Sequence, residues 1–378
     1  MSFKKIVHQL HLWPGLITGL QVFIIAITGC IYAFQEEIQE ITQSYRHVEQ
    51  TEQNLMLPSE LEQIAENALP GKTMHGIKYQ TPEKSAEAIF YNFNPTYYYI
   101  VYLNPYTGDV LKVKDMQKDF FRWIITGHYY LWLPPRIGQP VVAWSTLIFA
   151  LVILSGLIIW IPKTRKAFRN RIWFHWKKKP GFKRFNFDMH VVLGFYAIFF
   201  SLIFAITGLV WGFQWFAQSY YQLAGGEKSL IYTEENPNYK TGQEASALTN
   251  PADKIFLFMQ ENYPDAYSIE VHPHHDDSTL LMSHAQLAKG KQWKTDYRYF
   301  DPNTLEEVEV DHIYGRVENA DFADKLMRMN YDIHTGAILG LPGKIFAFLM
   351  SLLIATLPVT GLFIWLKKKK KKNKALLC

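Results

Sequence analysis

HLWPGLITGLQVFIIAITGCIYAF (His11–Phe34) and HVVLGFYAIFFSLIFAITGLVWGF (His190–Phe213) are one pattern written twice. His11 corresponds to His190, Gly15 to Gly194, Thr28 to Thr207 and Gly29 to Gly208, all at identical spacing. Each copy is an apolar run of the length, about 20 residues, that crosses the hydrocarbon core of a bilayer as a helix. Each carries a histidine at one end, where a polar ring is costly unless it has a partner or a ligand. Two histidines at equivalent positions point to a shared ligand.

Two further runs, Pro140–Ile161 and Lys344–Leu366, are as long and as apolar, so the chain reads as four transmembrane helices. Lys163–Arg184 holds ten Lys or Arg and no acid, and Lys4, Lys5 and the run Lys367–Lys372 add to that basic side. Of the 34 carboxylates, 33 lie in Gln35–Gly127 and Gln214–Leu341, leaving only Asp188 on the basic side. The positive-inside rule therefore puts both termini and the middle loop in the cytoplasm and exports the two long loops. The net charge of +5 is the sum of two opposite faces and gives no reason to expect nucleic acid. The lysine tail is read as an anchor on anionic membrane lipid.

Cys30 and Cys378 are the only cysteines, so no disulfide framework holds the exported loops and no Cys-x-x-Cys-His attaches haem covalently. Ile27-Thr28-Gly29-Cys30 resembles a lipoprotein cleavage box, but Ile206-Thr207-Gly208-Leu209 repeats it without the cysteine. An uncleaved anchor is the expectation.

The two halves run in parallel beyond the first helix. Pro58–Ala68 reads as an amphipathic helix capped by Ser59 with Glu62 three places on, and Pro251–Asn262 as its counterpart. Tyr97–Val113 turns at Asn104–Gly108, and Trp293–Val310 turns at Asp301-Pro302-Asn303. Lys118–Leu131 and Asp324–Leu339 are amphipathic stretches carrying His128 and His334, each six residues after an arginine. The expected layout is a membrane protein of two tandem repeats, each with an exported α+β module. In order it comprises a cytoplasmic N-terminus (1–11), a membrane helix (12–35), a first module (36–117), an interfacial helix (118–139), a second membrane helix (140–161) and a basic loop (162–189). It then repeats as a third membrane helix (190–216), a second module (217–317), an interfacial segment (318–342), a fourth membrane helix (343–366) and a lysine-rich tail (367–378).

This layout puts His11 with His190 at cytoplasmic depth and His128 with His334 at outer depth. Two neutral imidazoles on one iron are what a low-spin haem requires, so two b-type haems are expected. A flat macrocycle also needs room. Gly15 and Gly194 lie one turn from the inner histidines, Gly29 and Gly208 fall at outer depth, and Gly156 and Gly361 at inner depth. His8, whose counterpart is Phe187, breaks the symmetry and is a spare inner ligand. His272, His274 and His275, next to Asp276 and Asp277, could bind metal, but a solvated hairpin tip accounts for them as well.

With these residues assembled, the chain resembles the PepSY-associated transmembrane family of iron-regulated membrane proteins and ferric-siderophore reductases. The resemblance rests on His11-x3-Gly15 with Thr28-Gly29, its copy at 190–208, and the turns LNPYTGDVL and FDPNTLEEV. It implies a Gram-negative inner membrane and PepSY-like modules in the periplasm. It also implies a haem-dependent oxidoreductase that reduces Fe(III)-siderophore to release Fe(II). The second turn lacks the Thr-Gly pair, which loosens its assignment. No Gly-x-Gly-x-x-Gly follows a strand, so electrons must come from a quinol or a cytosolic reductase. The alternatives are a haem conduit feeding another periplasmic acceptor, such as copper or a protein, and a cofactor-free PepSY binding or inhibitory module. A siderophore transporter is a poorer fit, since the helices lack intramembrane carboxylates.

Overall fold

The computed structural model describes residues 2–176, 178–235, 250–273 and 279–376, with side chains to residue 367. In chain order the helices are α1 (Phe3–Tyr32), α2 (Gln35–Thr42), α3 (Pro58–Ala68), α4 (Phe120–Tyr130), α5 (Pro135–Trp160) and α6 (Arg165–Ile172). They continue as α7 (Phe182–Gly212), α8 (Gln214–Leu223), α9 (Pro251–Asn262), α10 (Phe322–Arg328), α11 (Asn330–Thr335) and α12 (Gly340–Leu376). The strands are β1 (Gly76–Tyr79), β2 (Ala86–Phe93), β3 (Thr96–Leu103), β4 (Val110–Asp115), β5 (Ser268–Val271), β6 (Leu281–Gln286) and β7 (Thr295–Phe300). The chain divides into a helical unit (1–35, 123–220 and 333–378) and a sheet unit (36–122 and 221–332).

In the helical unit, α1, α5, α7 and the first part of α12 are long and apolar enough to cross a membrane. The chain is a membrane protein. Each helix packs on two neighbours: α1 and α7 both pack against α5 and α12. The bundle is therefore a square with α1 and α7 on one diagonal. Apolar side chains such as Ile17, Leu20, Leu151 and Phe199 lie exposed on its outside, as a lipid-facing surface requires. The helices outrun the spans read from hydropathy: α1 starts at Phe3 rather than residue 12, and α7 at Phe182 rather than 190. Lys and Arg are good helix formers whose stems can lie along apolar surface, so helicity does not stop where hydrophobicity does. Asp188, the one acid of the basic flank, is buried in α7 and held by Arg184 (2.6 Å) and by Trp176 Nε1, which donates to it at 2.8 Å.

Short connectors set the helices that carry the other two histidines. After α4 the chain turns through Leu131 and Trp132, both at positive φ, and Pro135 opens α5. After α11 the same task falls to Gly336 (φ +78°) and Gly340 (φ +69°). Pro342 lies in the first turn of α12, a position where its missing N–H costs nothing.

The sheet unit departs from the sequence reading. Two separate modules were expected, at 36–117 and 217–317, yet their strands form one seven-stranded antiparallel sheet, ordered β4-β3-β2-β1-β5-β6-β7. The join is β1 to β5, with Ile77 opposite Val271 and Lys78 opposite Glu270. One face of this sheet packs on α3 and α9 in a single core that includes Leu61, Ile77, Phe90, Val101, Phe256, Met259 and Val271. Tyr79 stacks on Phe256 at 4.1 Å across it. Ser59 does not cap α3. Its N–H and hydroxyl both donate to Asp253 of α9, at 2.8 and 2.6 Å, while Glu60 takes the Leu57 N–H at 2.8 Å. The second strand expected within 293–310 is reduced to one bridge, Phe300 to Glu307.

Candidate functional site

Of five hydroxyl–glycine dipeptides in the four long helices, Thr18-Gly19 in α1 lies against Pro358, and the other four form a set: Thr28-Gly29 in α1, Ser155-Gly156 in α5, Thr207-Gly208 in α7 and Thr360-Gly361 in α12. Each receives one histidine from another helix. His128 of α4 meets the first, His11 of α1 the second, His334 of α11 the third and His190 of α7 the fourth.

The glycine of each pair makes room for a ring. A Cβ built on Gly156 would lie 2.9 Å from His11 Cε1, and one on Gly29 would lie 3.2 Å from His128 Cε1. At Gly361 the distance to His190 Cε1 is 3.4 Å, and at Gly208 it is 3.8 Å to His334 Cε1. The hydroxyl fixes the ring's protonation. Thr28, Thr207, Thr360 and Ser155 each donate their proton to a carbonyl one turn back in their own helix. Their oxygens are left to accept from histidine Nδ1, at 3.2 Å from His128, 2.8 Å from His334, 2.9 Å from His190 and 3.2 Å from His11. His11 and His128 also donate Nδ1–H to the carbonyls of Val152 (3.0 Å) and Ile25 (2.9 Å), which only an N–H can satisfy. The proton is therefore on Nδ1, and Nε2 keeps its lone pair, the form of histidine that ligates metals.

Because α1 and α7 stand on a diagonal, the rings of His11 and His190 face each other across the bundle, with centroids 6.3 Å apart and planes at 75°. His128 and His334 repeat this at 6.1 Å and 77°. The His11 and Gly29 levels on α1 are roughly 27 Å apart along the helix axis. Two nearly identical ring pairs thus lie near opposite ends of the bundle. A metal–nitrogen bond of about 2 Å, plus roughly 1.1 Å from nitrogen to ring centre, means that two imidazoles would leave room for a metal ion between them at about 6 Å between centroids. Both pairs match that spacing.

A cavity of about 300 Å³ opens beside the inner pair, lined by His11, Gly15, Gly156, His190, Gly194 and Gly361 among mainly apolar side chains. Gly15 and Gly194 differ from the dipeptide glycines. A Cβ on either would find ordinary contacts, 3.6 Å to Val152 and 3.8 Å to Leu357, so protein packing alone does not demand glycine there. They widen the cavity. His8 lines it too, but the ring paired with His190 is that of His11. Of the other expected candidates, His272 lies in the sheet unit beside Glu270, while His274 and His275 fall outside the described residues. The sequence reading used the glycines and missed the task of the hydroxyls. The recurring Ser/Thr-Gly pair was the available signal.

No curated protein matches the chain. The family described as the PepSY-associated TM region matches residues 8–368, nearly the whole length. The chain belongs to the PepSY-associated transmembrane family.

Proposed function

We propose that this protein is a membrane electron conduit that holds two b-type haems, one between His11 and His190 and one between His128 and His334. It would pass electrons outward to Fe(III) held by a siderophore. The observation that carries the reading is the repeated ring pair: two sets of imidazoles at 6.3 and 6.1 Å, planes near perpendicular, every Nδ1 engaged. Bound haem supplies the one-electron chemistry. The protein's own residues do the rest. The hydroxyls and carbonyls hold each ring in the Nδ1–H tautomer and raise its basicity as a ligand. Gly156, Gly361, Gly29 and Gly208 let the rings approach, and Gly15 and Gly194 open space for a flat group beside the inner pair. The apolar bundle excludes water and lowers the local dielectric, which biases the redox potential.

The acceptor is inferred from chemistry and family resemblance. Siderophores bind Fe(III) through hard oxygen donors, and Fe(II) binds such donors far less tightly, so one electron releases the iron and leaves the chelator intact. The electron enters from a quinol or a cytosolic reductase. The charge asymmetry supports an orientation with both termini and the basic loop in the cytoplasm, which in a Gram-negative cell puts the sheet unit in the periplasm.

The test is an absorption spectrum of the detergent-purified full chain, oxidised and dithionite-reduced, with a pyridine haemochrome count. The expected result is about two b haems per chain with low-spin bands, and loss of about one in each of His11→Ala and His128→Ala. A protein without haem, made with haem supplied, would overturn the conduit and leave a binding module. A di-haem protein that ferric siderophores fail to reoxidise would keep the conduit and change the acceptor.

A further inference from the structure

A second cluster of ligand-type side chains lies in the sheet unit, on the sheet face opposite the apolar core. Glu270 and His284 are direct cross-strand partners on β5 and β6. His272 follows Glu270 by two residues and so points to the same face. Glu270 Oε1 is 3.3 Å from His272 Nε2, and Glu270 Oε2 is 3.5 Å from His284 Nε2. The three ligand atoms lie within 4.8 Å of one another. We propose that Glu270, His272 and His284 form a binding site for a divalent first-row transition-metal ion.

The spacing suits such an ion. Donors about 2.0–2.1 Å from a tetrahedral metal are about 3.3–3.4 Å from each other, close to the two distances from Glu270. The donor set is borderline in softness. Two imidazoles and a carboxylate suit Zn(II), Fe(II), Co(II), Ni(II) or Cu(II), whereas Ca(II) and Mg(II) demand oxygen. Three protein ligands leave at least one position for water or another group.

Two features around the triad argue for a built site. The register that sets Ile77 opposite Val271 brings Gly76 against His272. A Cβ on Gly76 would fall 3.2 Å from His272 Cδ2 and 3.4 Å from both Glu270 Oε1 and His272 Nε2. The absence of a side chain there keeps the ligand atoms uncovered. Behind His272, Glu234 Oε1 stands 3.8 Å from Nδ1, beyond hydrogen-bond distance, and adds a second negative charge beside the triad. The ring of His75 lies edge-on to that of His272 at 4.7 Å. Lys78, the partner of Glu270 on β1, is the nearby cation, and the two carboxylates outweigh it.

This site is independent of the ring pairs in the membrane helices, and its test is read without reference to haem or reductase activity. The purified full chain is stripped with EDTA and titrated with Zn(II) by calorimetry, with bound zinc counted by mass spectrometry after dialysis. One retained zinc is expected, with affinity reduced about tenfold or more in His284→Asn and in Glu270→Gln. Gly76→Ala keeps all three ligands and should also weaken binding, because its Cβ crowds two of them. A circular-dichroism melt of each variant checks that the fold persists. Zinc binding that is absent from the parent, or that survives both ligand substitutions unchanged, overturns the proposal, whichever other histidines then account for it.

Discussion

Gly156 and Gly208 occupy equivalent places in the hydroxyl–glycine pattern, yet distance separates their fates on substitution. A Cβ at Gly156 would be 2.9 Å from the His11 ring, closer than real contacts allow, whereas at Gly208 the His334 ring is 3.8 Å away. Alanine in a helix interior otherwise gains about 1 kcal/mol over glycine. Gly156→Ala should therefore displace His11 and lower inner haem content in the haemochrome count, while Gly208→Ala leaves the outer haem in place. Equal loss in both, or in neither, would mean that the close approach of ring to glycine does not govern occupancy. At this scale much could be read from the chain alone. All four histidines and six glycines stand out by spacing, and Gly29, Gly156, Gly208 and Gly361 each meet a histidine ring, whereas Gly19 of the further pair Thr18-Gly19 meets Pro358. The acceptor role of Thr28, Ser155, Thr207 and Thr360 is marked only by the recurring Ser/Thr-Gly pair, a weak signal, because a hydroxyl bonded back to its own helix is a common way to bury serine or threonine.

Between elements, the contact of α3 with α9 brings carboxylates together. Burial first, then the nearby charges of Glu66 and Asp253, push Glu62 up to about 7 from an ordinary value of 4.5. A carboxyl whose folded-state value is raised stabilises the fold fully below pH 4.5, and that contribution fades as pH rises through 7. Glu62→Gln, which stays neutral, should leave hydrogen exchange in Pro58–Ala68 unchanged at pH 5 and slow it relative to the parent at pH 8. Parallel behaviour of the two proteins at both pH values would show that Glu62 ionises without cost. Local pattern gave α3 and α9 to the residue, because a proline at the start and an apolar stripe are short-range signals. The two turns were harder to equate. Gly108 has φ +76° and donates its N–H to Asn104 O, and Leu305 has φ +59° and donates to Asp301 O in the same way. The second turn keeps its shape without glycine, with Leu305 packed against the core. A leucine in the left-handed region gives no local sign of itself, so the letters placed both turns but could not show that Leu305 takes the backbone shape of Gly108.

In the whole molecule, what the sequence could not reveal is that both long segments build one sheet. Hydropathy and charge are summed locally and find four spans. The β1–β5 pairing joins two strands of four residues each from opposite halves of the chain, and nothing near either strand records its partner. Two fragments divided in the basic stretch, 1–172 and 173–378, should each expose an unpaired strand and be digested rapidly by added protease. Co-produced, they should recover resistance across Gly76–Leu103. Resistance of the first fragment alone would mean that its four strands suffice.

The same pairing sets a timetable during synthesis. When Tyr79 has left the ribosome, roughly 190 residues must still be made before Ser268 appears, a wait of about 10–40 s at about 5–20 residues per second. Throughout that interval β1 is the open edge of an unfinished sheet, with a row of unmatched amides and carbonyls available to any other extended chain. The hazard belongs to the newborn chain alone, since the arrival of β5 closes the edge. Crowded overproduction, where many copies wait at that stage together, is the condition in which this protein should be lost to aggregation.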